Sequence, residues 1–334
     1  MHDGITAYLT ARAEAGAAPL TIKADRSALH GFARWWETTE RRPFDPALVV
    51  ARDATAWQRH RQVEDGKNAR TINGATRALK GFFLWAQDRG MVTENPFDGL
   101  KPLAEQETGP RAIPPAAVDA LLRTVIQEQD ARLRLRDQAA LALLVYVGLR
   151  VQEVCDLQIR DLDLLGLTVT VRRGKGGKSR RVPLHRDAVP LLKAYLTRLR
   201  CPDGIPAIGS DAERALLLVN FDPTVPGRPA LPGVDQRTIQ RRLKHYAQAA
   251  AARLRADMPR VALDRAGELD ELARQLERAT PHTLRHSLAR RMLSNGADLA
   301  EVKRVLGHSR ITTTQRYTEP SEDEVRRAVG RAGV

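Results

Sequence analysis

The chain has 334 residues, of which 43% are hydrophobic and 28% are charged, a composition that suits two domains of ordinary size. Its net charge of +14 favours a polyanionic partner, nucleic acid being the commonest, although a solvated basic surface or a membrane surface stays open. The absence of a long uncharged apolar run argues against a membrane-spanning helix and predicts a cytoplasmic location, at the nucleoid. Only two cysteines, Cys155 and Cys201, are present, which excludes a disulfide framework and a cysteine-rich zinc site.

The first hundred residues predict a small helical domain. Apolar positions recur at helical spacing in residues 20–36, 46–63 and 68–88, and the last of these segments carries Asn73, Arg77 and Lys80 on one basic side. Prolines and small polar residues between 94 and 115 then disfavour continued helix. We therefore expect a first domain at 1–105, a linker at 106–112 and a second domain at 113–334, which holds most of the excess positive charge.

The second domain is predicted to be mainly helical with a small antiparallel sheet. Helices are expected at about 116–129 and 132–147, the second of them buried because it is strongly apolar. Two β-prone runs at 167–172 and 179–184 bracket a glycine turn, which predicts a hairpin. A helix at 187–199, a short strand at 215–219 and further helices from residue 236 complete the prediction.

Five short segments contain side chains that could carry out chemistry. Each has an ordinary structural explanation when it is taken singly, such as a salt bridge, a solvated turn or core packing. His282 and His286 are spaced i,i+4 and could bind a metal, but Thr283 stands where a zinc-protease motif has glutamate, so no metal is expected. In chain order, the segments are Gly148-Leu149-Arg150-Val151-Gln152-Glu153, Lys175 on the glycine turn, His282-Thr283-Leu284-Arg285-His286, Leu306-Gly307-His308 and Thr314-Gln315-Arg316-Tyr317.

Taken together, these residue types match the needs of phosphodiester transfer without a metal or a nucleotide. Arginine offers a fixed fork of N–H donors to the charged oxygens of a pentavalent phosphate. A tyrosine hydroxyl can form a covalent phosphoester that preserves the energy of the broken bond. A lysine can protonate the leaving 5′ oxygen. The combination therefore predicts an enzyme that breaks and rejoins nucleic acid without a cofactor.

The order and spacing of the five segments resemble the tyrosine recombinase, or phage integrase, family and are close in outline to the Xer recombinases. The resemblance implies a helical core-binding domain followed by a catalytic domain. It also implies that Arg150 and Arg285 clamp the scissile phosphate of double-stranded DNA and that Lys175 protonates the leaving oxygen. The resemblance further implies that His282 and His308 complete the phosphate pocket and that Tyr317 forms the 3′-phosphotyrosyl link. Glu153, about one helical turn after Arg150, is then expected to brace the pocket.

Two other functions stay open on the sequence. A type IB topoisomerase would use the same arginine, lysine, histidine and tyrosine chemistry, and a relative of the recombinases could bind DNA without cutting it. The chain also departs from a minimal Xer-like outline in the long stretch at 247–281, which we interpret as a surface insertion.

The residues after Tyr317 predict a subunit contact. Val325, Ala328, Val329 and Ala332 form a narrow apolar stripe on a helix that is too short to be stable alone. The stripe could dock on its own domain. The resemblance implies that it docks on a neighbouring subunit, in a homo-tetramer that holds two DNA duplexes.

Overall fold

The computed structural model describes residues 3–105, 112–172, 179–221 and 229–307, the backbone alone being described at 229–232. The chain divides into two compact units, Met1–Thr108 and Gly109–Val334. Within the described ranges, no helix combines the length and the apolar composition that a bilayer span requires. The fold is mainly helical with a small antiparallel sheet, as the sequence predicts.

The first unit contains four helices around an aromatic core. Phe32 lies at its centre and packs edge-on against the rings of Phe44, Trp57, Phe83 and Phe97, an arrangement that ring quadrupoles favour. The core is completed by aliphatic residues from all four helices. The helices are α1 (Asp3–Glu14), α2 (Pro19–Glu40), α3 (Ala51–Val63) and α4 (Ala69–Asp88).

The polar side of α4 holds the chain that follows it. The Asn73 side chain donates to the Leu103 carbonyl and accepts from the Leu103 N–H, both at 2.9 Å. Lys80 pairs with Asp98 at 2.7 Å, and Gln58 of α3 donates to the carbonyl of Lys101 at 3.1 Å. Residues 95–105 are therefore fixed to the first unit by side chains that reach backbone groups.

The second unit is built from eight helices and five short strands among its described residues. The helices are α5 (Pro115–Ile126), α6 (Ala131–Ala142), α7 (Val151–Asp156), α8 (Ala188–Tyr195), α9 (Gln236–Asp257), α10 (Leu263–Glu277), α11 (Pro281–Ser294) and α12 (Leu299–Leu306). A π-helical turn, Leu143–Val147, continues α6, and a second one, Leu196–Arg200, continues α8. The strands are β1 (Leu162–Asp163), β2 (Thr168–Val171), β3 (Arg180–Pro183), β4 (Val219–Phe221) and β5 (Pro229–Gly233).

The predicted hairpin is confirmed as β2 and β3. These strands pair antiparallel with Val171 opposite Arg180, and β1 adds to the outer side of β2. The strand predicted at 215–219 is displaced toward the C-terminus, because Leu216 forms only an isolated bridge with Gln158 and regular pairing begins at Val219. The apolar residues before β4 serve the core instead, and Leu217 and Leu218 are fully buried.

The stretch at 247–281 is only partly on the surface, so interpreting it as a surface insertion was wrong. Helix α10 packs along α9 and also contacts α5. Its Leu269, Ala273 and Leu276 are buried, and the latter two belong to the main core of the second unit. Small residues on α9, among them Ala247 and Ala251, are buried as well and give α10 room for a close approach.

Candidate active site

Arg150 stands where the buried helix α6 ends. The π-helical turn closes at Gly148, which has a φ of 69°, and a Cβ at that position would lie 2.6 Å from the Leu288 side chain. Glycine is therefore required both by the left-handed backbone and by the close packing. Arg150 follows two residues later as the N-cap of α7, with its side chain about one-third exposed.

Glu153 forms hydrogen bonds with both the side chain and the backbone of Arg150, three positions before it. One carboxylate oxygen accepts a hydrogen bond from Arg150 Nη1 at 2.9 Å, and the other accepts the backbone N–H of Arg150 at 2.9 Å. Burial of this carboxylate raises its pKa, but the hydrogen bonds from Arg180 and from the Arg150 backbone outweigh that effect and lower the pKa to about 2. Glu153 is therefore ionised throughout the physiological range.

Arg180 belongs to the same cluster and was missed in the sequence. Its two terminal nitrogens donate to the two carboxylate oxygens of Glu153 at 2.9 and 2.8 Å, a bidentate pair. The alternation of residues in the strand could have identified it, because Arg180 and Val182 share one face of β3 and Val182 points into the core. The alternation places Arg180 inward and its neighbour Arg181 outward.

Arg285 is buried in the middle of α11. Thr280 caps this helix by accepting from the Thr283 N–H at 3.1 Å, and Pro281 fills its first turn. The Arg285 side chain donates from one terminal nitrogen to the Gly148 carbonyl and from the other to the Leu306 carbonyl. Through these two bonds, the guanidinium joins the turn before Arg150 to the end of α12. Only 1% of Arg285 is exposed, so this link lies in the protein interior.

Helix α12 brings a third segment to the cluster. Asp298 caps its start, and Gly307 ends it in the left-handed region with a φ of 62°. Arg150 Nη2 lies 3.4 Å from the Gly307 carbonyl oxygen. The next residue in the chain is His308, which lies outside the described residues, as do Lys175 and Tyr317. The structure thus brings together Arg150, Glu153, Arg285 and the start of the Leu306-Gly307-His308 segment.

His282 and His286 are neighbours on α11. Their ring centroids are 4.3 Å apart and the rings are nearly perpendicular. His282 is exposed and His286 is half-buried. In the part of the chain that the structure describes, no group of three or more His, Cys, Asp or Glu residues could hold a metal ion. His282 is thus an exposed imidazole on the same helix as the buried Arg285, three positions before it.

The charge balance of the cluster suits an anion. Arg150, Arg180 and Arg285 are positively charged and Glu153 is negatively charged, which leaves an excess of two positive charges. Arginine holds its charge even when it is buried and binds phosphate oxygens through paired N–H groups. The partly exposed member, Arg150, is the one that can reach a ligand directly.

Comparison with known proteins shows similarity over most of the chain. The model of the phage integrase family matches residues 112–324. Tyrosine recombinase XerD of Listeria innocua is 30% identical over 306 residues, 91% of this chain and 89% of that protein. Tyrosine recombinase XerC of Roseiflexus sp. is 31% identical over 320 residues, 95% and 89% of the two chains.

Solved structures show the same fold at lower identity. The Tn1549 transposon integrase in complex with transposon right end DNA has a TM-score of 0.65 and 20% identity over 98% of both chains. A lambda integrase dimer bound to a core site has a TM-score of 0.61 and 16% identity over 97% of both chains.

Proposed function

Because the chain belongs to the phage integrase family of tyrosine recombinases, we propose that it cuts and rejoins DNA at specific sites through a 3′-phosphotyrosyl intermediate on Tyr317. The observation that carries this proposal is the convergence of Arg150, Arg285 and the Leu306–Gly307 backbone from three separated segments. DNA is the proposed partner, since the positive charge of the cluster suits phosphate and solved structures of this fold include DNA complexes.

The proposed reaction consists of two transesterification steps, and each step breaks one phosphoester bond and forms another. The Tyr317 oxygen attacks the scissile phosphorus, the bond from phosphorus to the 5′ oxygen breaks, and Lys175 donates a proton to that oxygen. The 5′ hydroxyl of a second strand then attacks the phosphotyrosine, and the proton transfers run in reverse. One phosphoester replaces another at each step, so neither a nucleotide nor a metal is needed for the energy balance.

The arginines supply the electrostatic part of this mechanism. Arg150 is partly exposed and donates directly to a non-bridging phosphate oxygen in the proposed complex. Arg285 contributes charge and holds the Gly148 turn with two of the N–H groups of its guanidinium. His282 and His308 complete the pocket, with His282 placed to help move the tyrosine proton.

The proposed assembly is a homo-tetramer on two DNA duplexes. Residues 1–105 bind one face of the duplex as a core-binding domain, and residues 113–334 carry the chemistry. The apolar stripe at Val325, Ala328, Val329 and Ala332 joins neighbouring subunits. These residues lie outside the described part of the chain, so the proposal rests on their sequence pattern.

The decisive experiment traps the covalent intermediate. Nicked duplexes tiled across the DNA that flanks the gene serve as suicide substrates, because the short fragment after the cut diffuses away. The wild-type protein should form a covalent complex on a denaturing gel in the presence of EDTA. Tyr317→Phe should bind the same duplex in a mobility-shift assay and form no covalent complex. A covalent complex with the Phe variant contradicts the assignment of the nucleophile.

The same reagents separate the proposal from its two alternatives. A topoisomerase would relax supercoiled plasmids that lack any selected site, whereas the proposed recombinase should act only on plasmids that contain it. A non-catalytic relative would shift the duplex without any covalent complex in the wild-type protein.

A further inference from the structure

The Glu153 carboxylate is shared unequally by two arginines. Arg180 binds both of its oxygens with its two terminal nitrogens, at 2.9 and 2.8 Å. Arg150 uses one side-chain nitrogen, at 2.9 Å, and its other terminal nitrogen lies at the longer distance of 3.4 Å from the Gly307 carbonyl. The side chains of Glu153 and Arg180 are 5% and 16% exposed, while that of Arg150 is 34% exposed.

The hydrogen bonds of Glu153 determine which of the two arginines carries the unpaired positive charge. Arg180 and Glu153 together are neutral and largely buried, so the surplus charge of the three groups resides on Arg150, at the more exposed side. Without Arg180, Glu153 would neutralise Arg150 instead. Arg150 could then turn its second terminal nitrogen onto the carboxylate, because a fork-to-fork pair is the favoured geometry.

The surroundings of Arg180 are built to keep it in place. It opens β3 opposite Val171, so its backbone is held in the hairpin. A Cβ on Gly307 would lie only 2.6 Å from Arg180 Nε, which means that the guanidinium packs directly on the backbone before His308.

We propose that Arg180 is a positioning residue that occupies Glu153 and thereby keeps the charge and the N–H donors of Arg150 available to the scissile phosphate. The inference rests on the proposed function and deepens it, since it assigns a role to a residue outside the five motif segments.

Variants of the full chain test this role in the suicide-substrate reaction. Arg180→Met should slow formation of the covalent complex about 100-fold, the range expected when the support of a ligand residue is lost. Arg180→Lys keeps the charge and loses the fork, so its loss should be roughly tenfold. Arg181→Met is the matched control, because Arg181 lies on the outer face of β3 with 68% of its side chain exposed, and it should cleave at the wild-type rate.

A double variant separates the charge argument from a merely structural role. The double variant Arg180→Met, Glu153→Gln lacks Arg180 and also lacks the carboxylate that would otherwise pair with Arg150. Cleavage should recover at least about tenfold relative to Arg180→Met alone, because the two changes are coupled through one charge. A neutral methylphosphonate at the scissile position should likewise narrow the gap between Arg180→Met and the wild type, since less charge then has to be stabilised.

The outcomes distinguish this inference from the proposed function. A double variant as slow as Arg180→Met, or slower, overturns the charge argument, and so does Arg180→Met cleaving at the wild-type rate. In both cases wild-type cleavage leaves the proposed function intact. A wild-type protein that forms no covalent complex contradicts the proposed function and the role of Arg180 with it.

Discussion

The two units of the molecule bury polar groups of different kinds. In the described part of the first unit, the buried polar residues are two acids, Asp25 and Asp53, and the neutral Gln58, Asn73 and Thr76. Asp53, for example, accepts from the Trp36 indole at 3.2 Å and from the Val50 N–H at 3.1 Å, and so joins two helices. These groups fasten an aromatic core and the chain around it.

The second unit buries guanidinium groups as well. Arg136 and Arg285 are 4% and 1% exposed, and the side chain of Arg180 is 16% exposed. Removing a cation from water costs several kcal/mol unless it is paired or hydrogen-bonded, so each of these guanidinium groups needs acceptors on the protein. The buried arginines of the second unit therefore bring positive charge as well as hydrogen bonds to the segments that they join. The buried polar groups of the first unit are acidic or neutral, and they fasten its helices and the chain around them.

The largest expected effect comes from Arg285→Lys. A lysine keeps the charge but cannot reach the carbonyls of Gly148 and Leu306 with a rigid fork. One or both of these buried carbonyls would lose a donor, at about 1–3 kcal/mol each. We expect the second unit to lose several kcal/mol of unfolding free energy and covalent-complex formation to fall by more than about 100-fold.

Tryptophan fluorescence gives this prediction an internal control. All four tryptophans, Trp35, Trp36, Trp57 and Trp85, lie in the first unit. In urea, circular dichroism should show an early transition of the second unit while the fluorescence midpoint stays in place. The exposed change Arg265→Lys on α10 should shift neither signal. Equal shifts of both signals for Arg285→Lys would contradict the prediction that this change destabilises the second unit alone.

A smaller, pH-dependent effect is expected for Glu153. Its pKa is lowered from 4.5 to about 2 in the folded protein, so its contribution to stability is fully present above pH 4.5 and is lost as the pH falls toward 2. The shift corresponds to a contribution on the order of 3 kcal/mol at neutral pH. The stability difference between the wild type and Glu153→Gln, measured in urea by circular dichroism, should therefore be larger at pH 6 than at pH 3. A difference that is constant between these pH values contradicts the assignment.

Short sequence patterns predicted the secondary structure better than they predicted which groups bind the charged side chains. The hairpin and the buried helix before Gly148 follow from β-prone runs around glycines and from a continuous apolar run, signals that lie within a few residues. The bidentate pair of Arg180 with Glu153 spans 27 positions and depends on how β3 meets α7. Likewise, the sequence identifies Arg285 by type and spacing, but not the two carbonyls that hold it.

The smallest expected effect concerns Asn73 in the first unit. Its amide mimics a peptide group and makes two hydrogen bonds to Leu103, each 2.9 Å long. Asn73→Ala should weaken this attachment by about 1.4 kcal/mol, which corresponds to roughly tenfold faster amide exchange of Leu103. Hydrogen exchange followed by mass spectrometry on the peptide that contains residues 99–105 measures it. The matched change is Gln87→Ala, also on α4, which removes a single bond to the Thr93 carbonyl and should leave the exchange of Leu103 unchanged. Because the two bonds between Asn73 and Leu103 join uncharged groups, the exchange of Leu103 should respond to Asn73→Ala equally at low and high salt. A strongly salt-dependent response would mean that the ion pairs of Lys80 with Asp98 and of Arg70 with Glu105 hold the segment instead.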